Sequence, residues 1–326
     1  MLHFPIYLDH NATTPCDARV VEAMLPYFTT YFGNAASHNH SFGWQAEEAV
    51  EIAREQVAAL IGAESKEIIF TSGATEAANL AIRGVFENYG AKGNHIITTT
   101  IEHKAVLDTC RQLEKQGADI TYLPVDHEGN VNLKALEAAI KPATILVCIM
   151  FANNETGNIL PITEMATIAK KHGVLFFTDA TQACGKIPVD VEKDHIDLLA
   201  MNAHKMYGPK GVGAIYVRRK NPRVKLLPQI TGGGHENGLR SGTLNVPGIV
   251  GFGKAAEIAM NDMKSNALHT ARLRDKLEQA LLQLPSVSVN GSTVNRLPQV
   301  TNLSFHPVES EGLLMGVNKE IALSSG

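Results

Sequence analysis

Several short segments carry side chains that could do chemistry together. Thr71-Ser72-Gly73-Ala74-Thr75-Glu76 follows an apolar run and opens a helical pattern. A strand that turns at glycine into a helix leaves free N–H groups and the positive end of the helix dipole facing one spot. Thr75 adds a hydroxyl, so the segment reads as an anion cup or as an ordinary helix N-cap. Asp179, in VLFFTDATQ (Val174–Gln182), follows a fully apolar run. A carboxylate buried there needs a cation or a donor, for which a protonated pyridine nitrogen is suitable; a structural turn cap is the alternative. Lys205, in LLAMNAHKMYG (Leu198–Gly208), stands 26 residues later, again after an apolar run. Partial burial and cationic neighbours would lower its pKa, and a neutral amine forms a Schiff base; an exposed loop lysine is the plain alternative.

Other candidates are weaker singly. His103 stands just past HIITT and could stack on a flat heteroaromatic ring and shuttle protons, or simply start a helix. The amides of Asn154 and Gln182 could donate to a ring oxygen or a substrate carboxylate. Gly232-Gly233-Gly234-His235 and Leu239-Arg240-Ser241-Gly242-Thr243 make a glycine-rich loop with donors, open to close approach by a phosphate or merely flexible. Together these supply an anion cup, a ring-nitrogen partner, an amine and a stacking imidazole. That set is what pyridoxal 5'-phosphate (PLP) requires, since a carboxylate that keeps the ring nitrogen protonated keeps PLP an electron sink.

The elements that must position them alternate. Apolar runs at Glu67–Thr71, His95–Thr99, Asp119–Leu123, Thr144–Phe151, Val174–Thr178, Leu198–Asn202 and Gly213–Val217 read as strands. Amphipathic helices are expected at Thr75–Tyr89, Lys104–Gln116, Leu133–Ile140 and Ile162–His172. Such βαβ units predict an α/β fold with a mainly parallel sheet covered on both faces, and ligands at the carboxyl ends of its strands. Further on, Leu273, Leu277, Leu281 and Leu284 form an apolar stripe on a long helix stopped at Pro285, expected to pack in a core. Strands at Val287–Val289 and Val300–Phe305 suggest a smaller α+β unit, with a linker near Met260–Asn266.

The 326 residues and net charge of −4 suit an ordinary globular chain and argue against nucleic-acid or acidic-lipid partners. No apolar run approaches the roughly 20 residues that span a bilayer, and no signal peptide is visible. Cys16, Cys110, Cys148 and Cys184 show no CxxC spacing, so buried free thiols in the cytoplasm are expected, and no metal site.

At these residues the chain resembles the NifS/IscS cysteine desulfurases, most closely the branch that serves iron–sulfur assembly. The resemblance rests on Tyr7-Leu8-Asp9-His10-Asn11-Ala12-Thr13-Thr14-Pro15, Phe32-Gly33-Asn34, Thr71–Glu76, Glu102-His103-Lys104 and Asn153-Asn154-Glu155-Thr156-Gly157. It continues through Asp179-Ala180-Thr181-Gln182, His204-Lys205, Tyr207-Gly208-Pro209-Lys210-Gly211, Gly232–His235 and Arg240–Thr243. It implies a fold-type-I PLP-dependent transferase with a seven-stranded sheet. A large PLP-binding domain would span 16–260, and a small domain 1–15 plus 261–326. It implies a homodimer that converts L-cysteine to L-alanine and passes sulfur to an iron–sulfur scaffold protein. Lys205 would carry the Schiff base, Asp179 would pair with the pyridinium, and His103 would stack and move protons. Ala74, Thr75 and His204 would hold the phosphate, with Thr243 reaching in from the other subunit, and Asn154 and Gln182 would contact cofactor or substrate. Asn202 stands where the family usually has a phosphate-binding Ser, so retuned binding is expected.

The family's sulfur-accepting cysteine lies in a loop reading Ser-Ser-Gly-Ser-Ala-Cys, whereas this sequence stops at Ser324-Ser325-Gly326. The small domain is therefore expected to be incomplete, without the carboxylate-clamping arginine, and the chain by itself impaired in sulfur transfer. Cys184, two residues past Gln182, is expected to be structural. A selenocysteine lyase, an aminotransferase of the same fold, and a catalytically silent PLP-binding dimerisation module are the alternatives.

Overall fold

The computed structural model describes residues 3–325. In chain order the elements are β1 (Ile6–Tyr7), α1 (Ala18–Met24), α2 (Pro26–Thr29), α3 (Ser41–Leu60), β2 (Ile68–Thr71), α4 (Ala74–Tyr89), β3 (His95–Thr99), α5 (Lys104–Glu114), β4 (Asp119–Leu123) and α6 (Leu133–Ala139). They continue as β5 (Thr144–Cys148), α7 (Ile162–Lys171), β6 (Leu175–Asp179), β7 (Leu198–Asn202), β8 (Gly213–Val217), α8 (Val246–Leu281), β9 (Val287–Val289), β10 (Leu303–Phe305), α9 (Ser310–Val317) and β11 (Ile321–Ala322).

The central sheet has seven strands in the order β2-β8-β7-β6-β5-β3-β4, with β8 antiparallel to both its neighbours and the other pairs parallel. Its strands are apolar at consecutive positions because both faces are covered. Phe176, Val147, Leu199 and Tyr216 point into one core. Their neighbours Phe177, Leu146, Leu198 and Ile215 point into the other. Helix α5 shows the matching logic: Val106, Cys110 and Leu113 recur at helical spacing and are fully buried. Close packing of α8 on α3 needs a glycine, since a Cβ on Gly253 would lie 2.5 Å from the Ala53 Cα.

Two small sheets flank this layer. β1 pairs in parallel with β11, so segments from opposite ends of the sequence meet, and β9 pairs antiparallel with β10.

Several sequence expectations need correction, among them the strand expected at Val300–Phe305, which spans only Leu303–Phe305 as β10. No linker loop occurs at 260–266, because α8 runs unbroken through those positions. The leucine stripe is not core: Leu273 and Leu277 on α8 and Leu284 just past its end are 45–50% exposed. The face of α8 turned toward the β9–β10 unit is polar instead. Arg296 donates two bonds to Glu278 (2.7 and 2.8 Å), and Arg274 donates to the Leu297 carbonyl. Glu67 is not part of β2. It ends a 3-10 turn and its carboxylate accepts the Glu64 and Arg219 N–H groups.

Candidate active site

The sheet delivers the predicted residues to one edge. Asp179 and Asn202 are the last residues of β6 and β7, and Lys205 closes the 3-10 turn that follows β7. Ala74 and Thr75 begin α4 just beyond β2, His103 precedes α5 beyond β3, and Asn154 follows β5. Because β8 runs the other way, its first residue, Gly213, lies at the same edge. A Cβ on Gly213 would sit 2.7 Å from the Gly73 Cα, so only glycine lets β8 approach the β2–α4 turn this closely.

Lys205 is half-buried, and its amine donates to the main-chain carbonyls of Asn11 and, at 2.7 Å, Ala12. Burial lowers its pKa, opposed by the charges of Asp179 and Asp9. Asp179 is buried and accepts the Thr181 N–H at 2.9 Å; among the described residues no cation forms an ion pair with it. The N-terminal segment crosses this edge. Thr13 Oγ1 lies 3.0 Å from His204 Nδ1, Thr14 Oγ1 donates to the His204 carbonyl, and Asn11 Nδ2 donates to the Asn154 carbonyl. Burial, then Lys205, Lys210 and Lys186, push the His204 pKa down to about 4, so its ring is neutral near pH 7.

Gln182 is buried and its amide nitrogen donates to the Asn11 carbonyl at 2.9 Å, the carbonyl that also receives Lys205. His103 is exposed and caps α5, with Nδ1 accepting the Ala105 N–H at 3.1 Å. The neutral ring therefore carries its proton on Nε2, the nitrogen left free for other partners. Thr243 is exposed.

The glycine-rich loop is tied to the β2–α4 turn from two sides. Arg240 pairs with Glu76 at 2.8 Å, and Glu76 accepts the Ser72 N–H at 2.8 Å. Burial would raise the Glu76 pKa, but these donors outweigh it and lower it. Glu236, at the loop's base, is gripped by Arg54 through two bonds of 2.7 and 2.8 Å and accepts the Phe70 N–H at 2.6 Å. Beside the cup a cleft of about 550 Å³ is lined by Ser72, Thr75, Glu76, Arg83 and Arg240.

The aminotransferase class-V family matches residues 6–326. Cysteine desulfurase IscS of Anaeromyxobacter dehalogenans is 56% identical over 326 residues, all of this chain and 80% of its own length. This chain belongs to the cysteine desulfurase family. IscS of Neisseria meningitidis is similar at 54% over 322 residues, covering 99% of this chain and 79% of that protein. Among solved structures, a NifS-like protein superposes with a TM-score of 0.92 at 42% identity, across 97% of this chain and 87% of its own. The protein SspA, in complex with cysteine, gives 0.84 at 38% identity, across 95% and 86%. The mainly parallel seven-stranded fold expected from the sequence is the fold these relatives share.

Family members work with PLP, and the residues present here fit it. The N-terminus of α4 has no side-chain cap on Gly73, which leaves its first-turn N–H groups for an anion. Among the described residues no cation forms an ion pair with the buried Asp179 carboxylate. The Asn202 Oδ1 and Thr181 Oγ1 atoms are buried without a partner at the same edge. Cys110, Cys148 and Cys184 are buried free thiols; burial pushes the Cys184 pKa up to about 12, which leaves no thiolate to react. The carbonyls of Asn11 and Ala12 as acceptors for Lys205 escaped the sequence reading, because no local pattern marks a contact between segments so far apart. Lys186 also escaped it. Its only signal is its position four residues beyond Gln182.

Proposed function

We propose that this chain binds PLP through Lys205 and serves the reaction of L-cysteine that releases L-alanine and passes sulfur to an acceptor protein that builds iron–sulfur clusters. The thiol that takes the sulfur is none of the buried Cys110, Cys148 and Cys184, so the chain's 326 residues by themselves are impaired in sulfur transfer. One observation carries the reading: a half-buried amine of lowered pKa shares an edge of the sheet with a buried carboxylate that has no ion-pair partner among the described residues. PLP, when bound, supplies the electron sink that lets the substrate's carbon–sulfur bond be broken. Asp179 would hold the ring nitrogen in its protonated form. The α4 amides from Ala74 and Thr75, the Thr75 hydroxyl, Asn202 and His204 would hold the phosphate. As a neutral ring, His204 offers the phosphate a hydrogen bond rather than a charge.

His103, with its Nε2 free, would lie against the ring and carry protons. Asn154 and Gln182 would orient cofactor and substrate through their amides. Thr243, exposed on this chain, would reach the phosphate of a second copy in a homodimer. Among the described residues no helix is long and apolar enough to cross a membrane, which is consistent with the cytoplasmic site of action we propose.

The test is reduction with borohydride after loading with PLP. Wild type should retain about one covalently fixed cofactor per chain on Lys205, and Lys205→Ala should retain none. A K205A protein that still fixes cofactor would refute the assignment.

A further inference from the structure

Beyond the residues that the family pattern points to, one more cation stands inside the site. Lys186 follows Gln182 on a run of helical turns, with the Cys184 N–H on the Ala180 carbonyl and the Lys186 N–H on the Ala183 carbonyl. Its side chain keeps some exposure, but protein atoms crowd the amine. That amine donates to Gln182 Oε1 at 2.7 Å. The titratable groups that face it are Lys205, Cys184, His10 and His204; none is a carboxylate. Burial and the nearby Lys205 push its pKa down to about 7, so holding a proton here costs stability that no ion pair returns.

The bonds link into one chain. Lys186 Nζ meets Gln182 Oε1, Gln182 Nε2 meets the Asn11 carbonyl at 2.9 Å, and that carbonyl receives the Lys205 amine. The two ends of a glutamine amide have nearly the same shape, and only their partners decide which way round they sit. The Lys186 amine donates to the amide oxygen, which leaves the NH₂ for the Asn11 carbonyl, the carbonyl that also receives Lys205. We propose that Lys186 is a positioning residue that fixes the amide of Gln182 with its NH₂ on the Asn11 carbonyl, beside the Lys205 amine that would carry PLP. The inference rests on the PLP reading.

The test uses the full chain loaded with PLP, in wild type, Lys186→Met, Gln182→Ala and the double variant. Two quantities are read: the position of the visible PLP absorption band, and the affinity for PLP. Losing one hydrogen bond predicts about a fivefold weaker affinity in each single variant. The band should move the same way in K186M as in Q182A, and the double variant should match Q182A alone, since both substitutions break one linkage. Melting of the unloaded chains checks folding, and Lys186→Ala carries the same test if K186M does not fold. The inference is overturned if K186M leaves band and affinity unchanged, if the two substitutions add independently, or if Q182A is silent. A wild-type chain that takes up no PLP would instead refute the functional reading beneath it.

Discussion

Removing Arg54 should cost this protein more than removing Arg54 and Glu236 together. The Glu236 side chain is 1% exposed and that of Arg54 9%, and they meet through two charge-assisted bonds. In Arg54→Met the carboxylate would stay buried with only the Phe70 N–H as partner. Breaking one side of a buried pair typically costs about 3–5 kcal/mol. Glu236→Met should cost less, because Arg54 keeps the Ile68 carbonyl at 2.8 Å and the more exposed Glu51 at 3.0 Å. In the double variant no charge is stranded, and replacing a buried pair by apolar side chains is often neutral or stabilising by about 1–4 kcal/mol, a gain offset here by the lost partners of the Phe70 N–H and the Ile68 carbonyl. The assay is the urea midpoint by circular dichroism, compared across variants because a chain of this size need not unfold in one step. Limited proteolysis adds a local readout: R54M should be cut faster in the loop 232–242, which Glu236 anchors. Single variants indistinguishable from wild type, or a double variant that loses the sum of the two, would refute the reasoning.

Glu102 is fully buried, and burial pushes its pKa up to about 8 from the ordinary 4.5. The folded state thus holds the proton more tightly than the unfolded state. Its contribution is complete below about pH 4.5 and is lost as pH rises toward 8, on the order of a few kcal/mol. Glu102→Gln should flatten the fall in stability across that window, and thermal melts of both proteins from pH 5 to pH 8 check it. Gly213→Ala places a Cβ 2.7 Å from the Gly73 Cα, and should destabilise by about 1–3 kcal/mol and weaken PLP binding by loosening the β2–α4 turn. Equilibrium unfolding and a PLP titration measure both. Cys184→Ser should leave sulfide release from cysteine, assayed with a reducing thiol present, within about twofold of wild type, because the buried thiol is not ionised. A loss beyond tenfold would show that Cys184 takes part.

The central sheet was legible because each buried strand is a short apolar run that ends where chemistry begins. β3, β4, β7 and β8 match their expected bounds residue for residue. β5 was expected to reach Phe151 but ends at Cys148. Beyond it, the Ile149 and Phe151 N–H groups still bond to the Phe177 and Asp179 carbonyls, so the apolar run continues to pack after regular pairing stops. Periodicity failed on α8. The leucine stripe has the spacing of a buried face, but Glu278 and Arg274 hold the β9–β10 unit through ion pairs and carbonyl bonds instead. The placement of Lys205, Asp179 and the Gly73–Thr75 turn at one edge was legible because each ends or follows a strand. The contacts made by Asn11, Thr13 and Lys186 were not, because they depend on tertiary placement rather than on any local pattern.

The pairing of Ile6–Tyr7 with Ile321–Ala322 sets an order on how this molecule comes together. A ribosome delivers Asn11 and Ala12 early, but the strand that clasps their neighbours emerges only after the whole central sheet has been made. Until then Ile6 and Tyr7 have no edge to pair with, and the strap is held by the bonds of Asn11, Thr13 and Thr14 to Asn154, Gln182 and His204. The strap across the sheet's chemical edge is therefore latched from outside only after residues 321–322 have emerged.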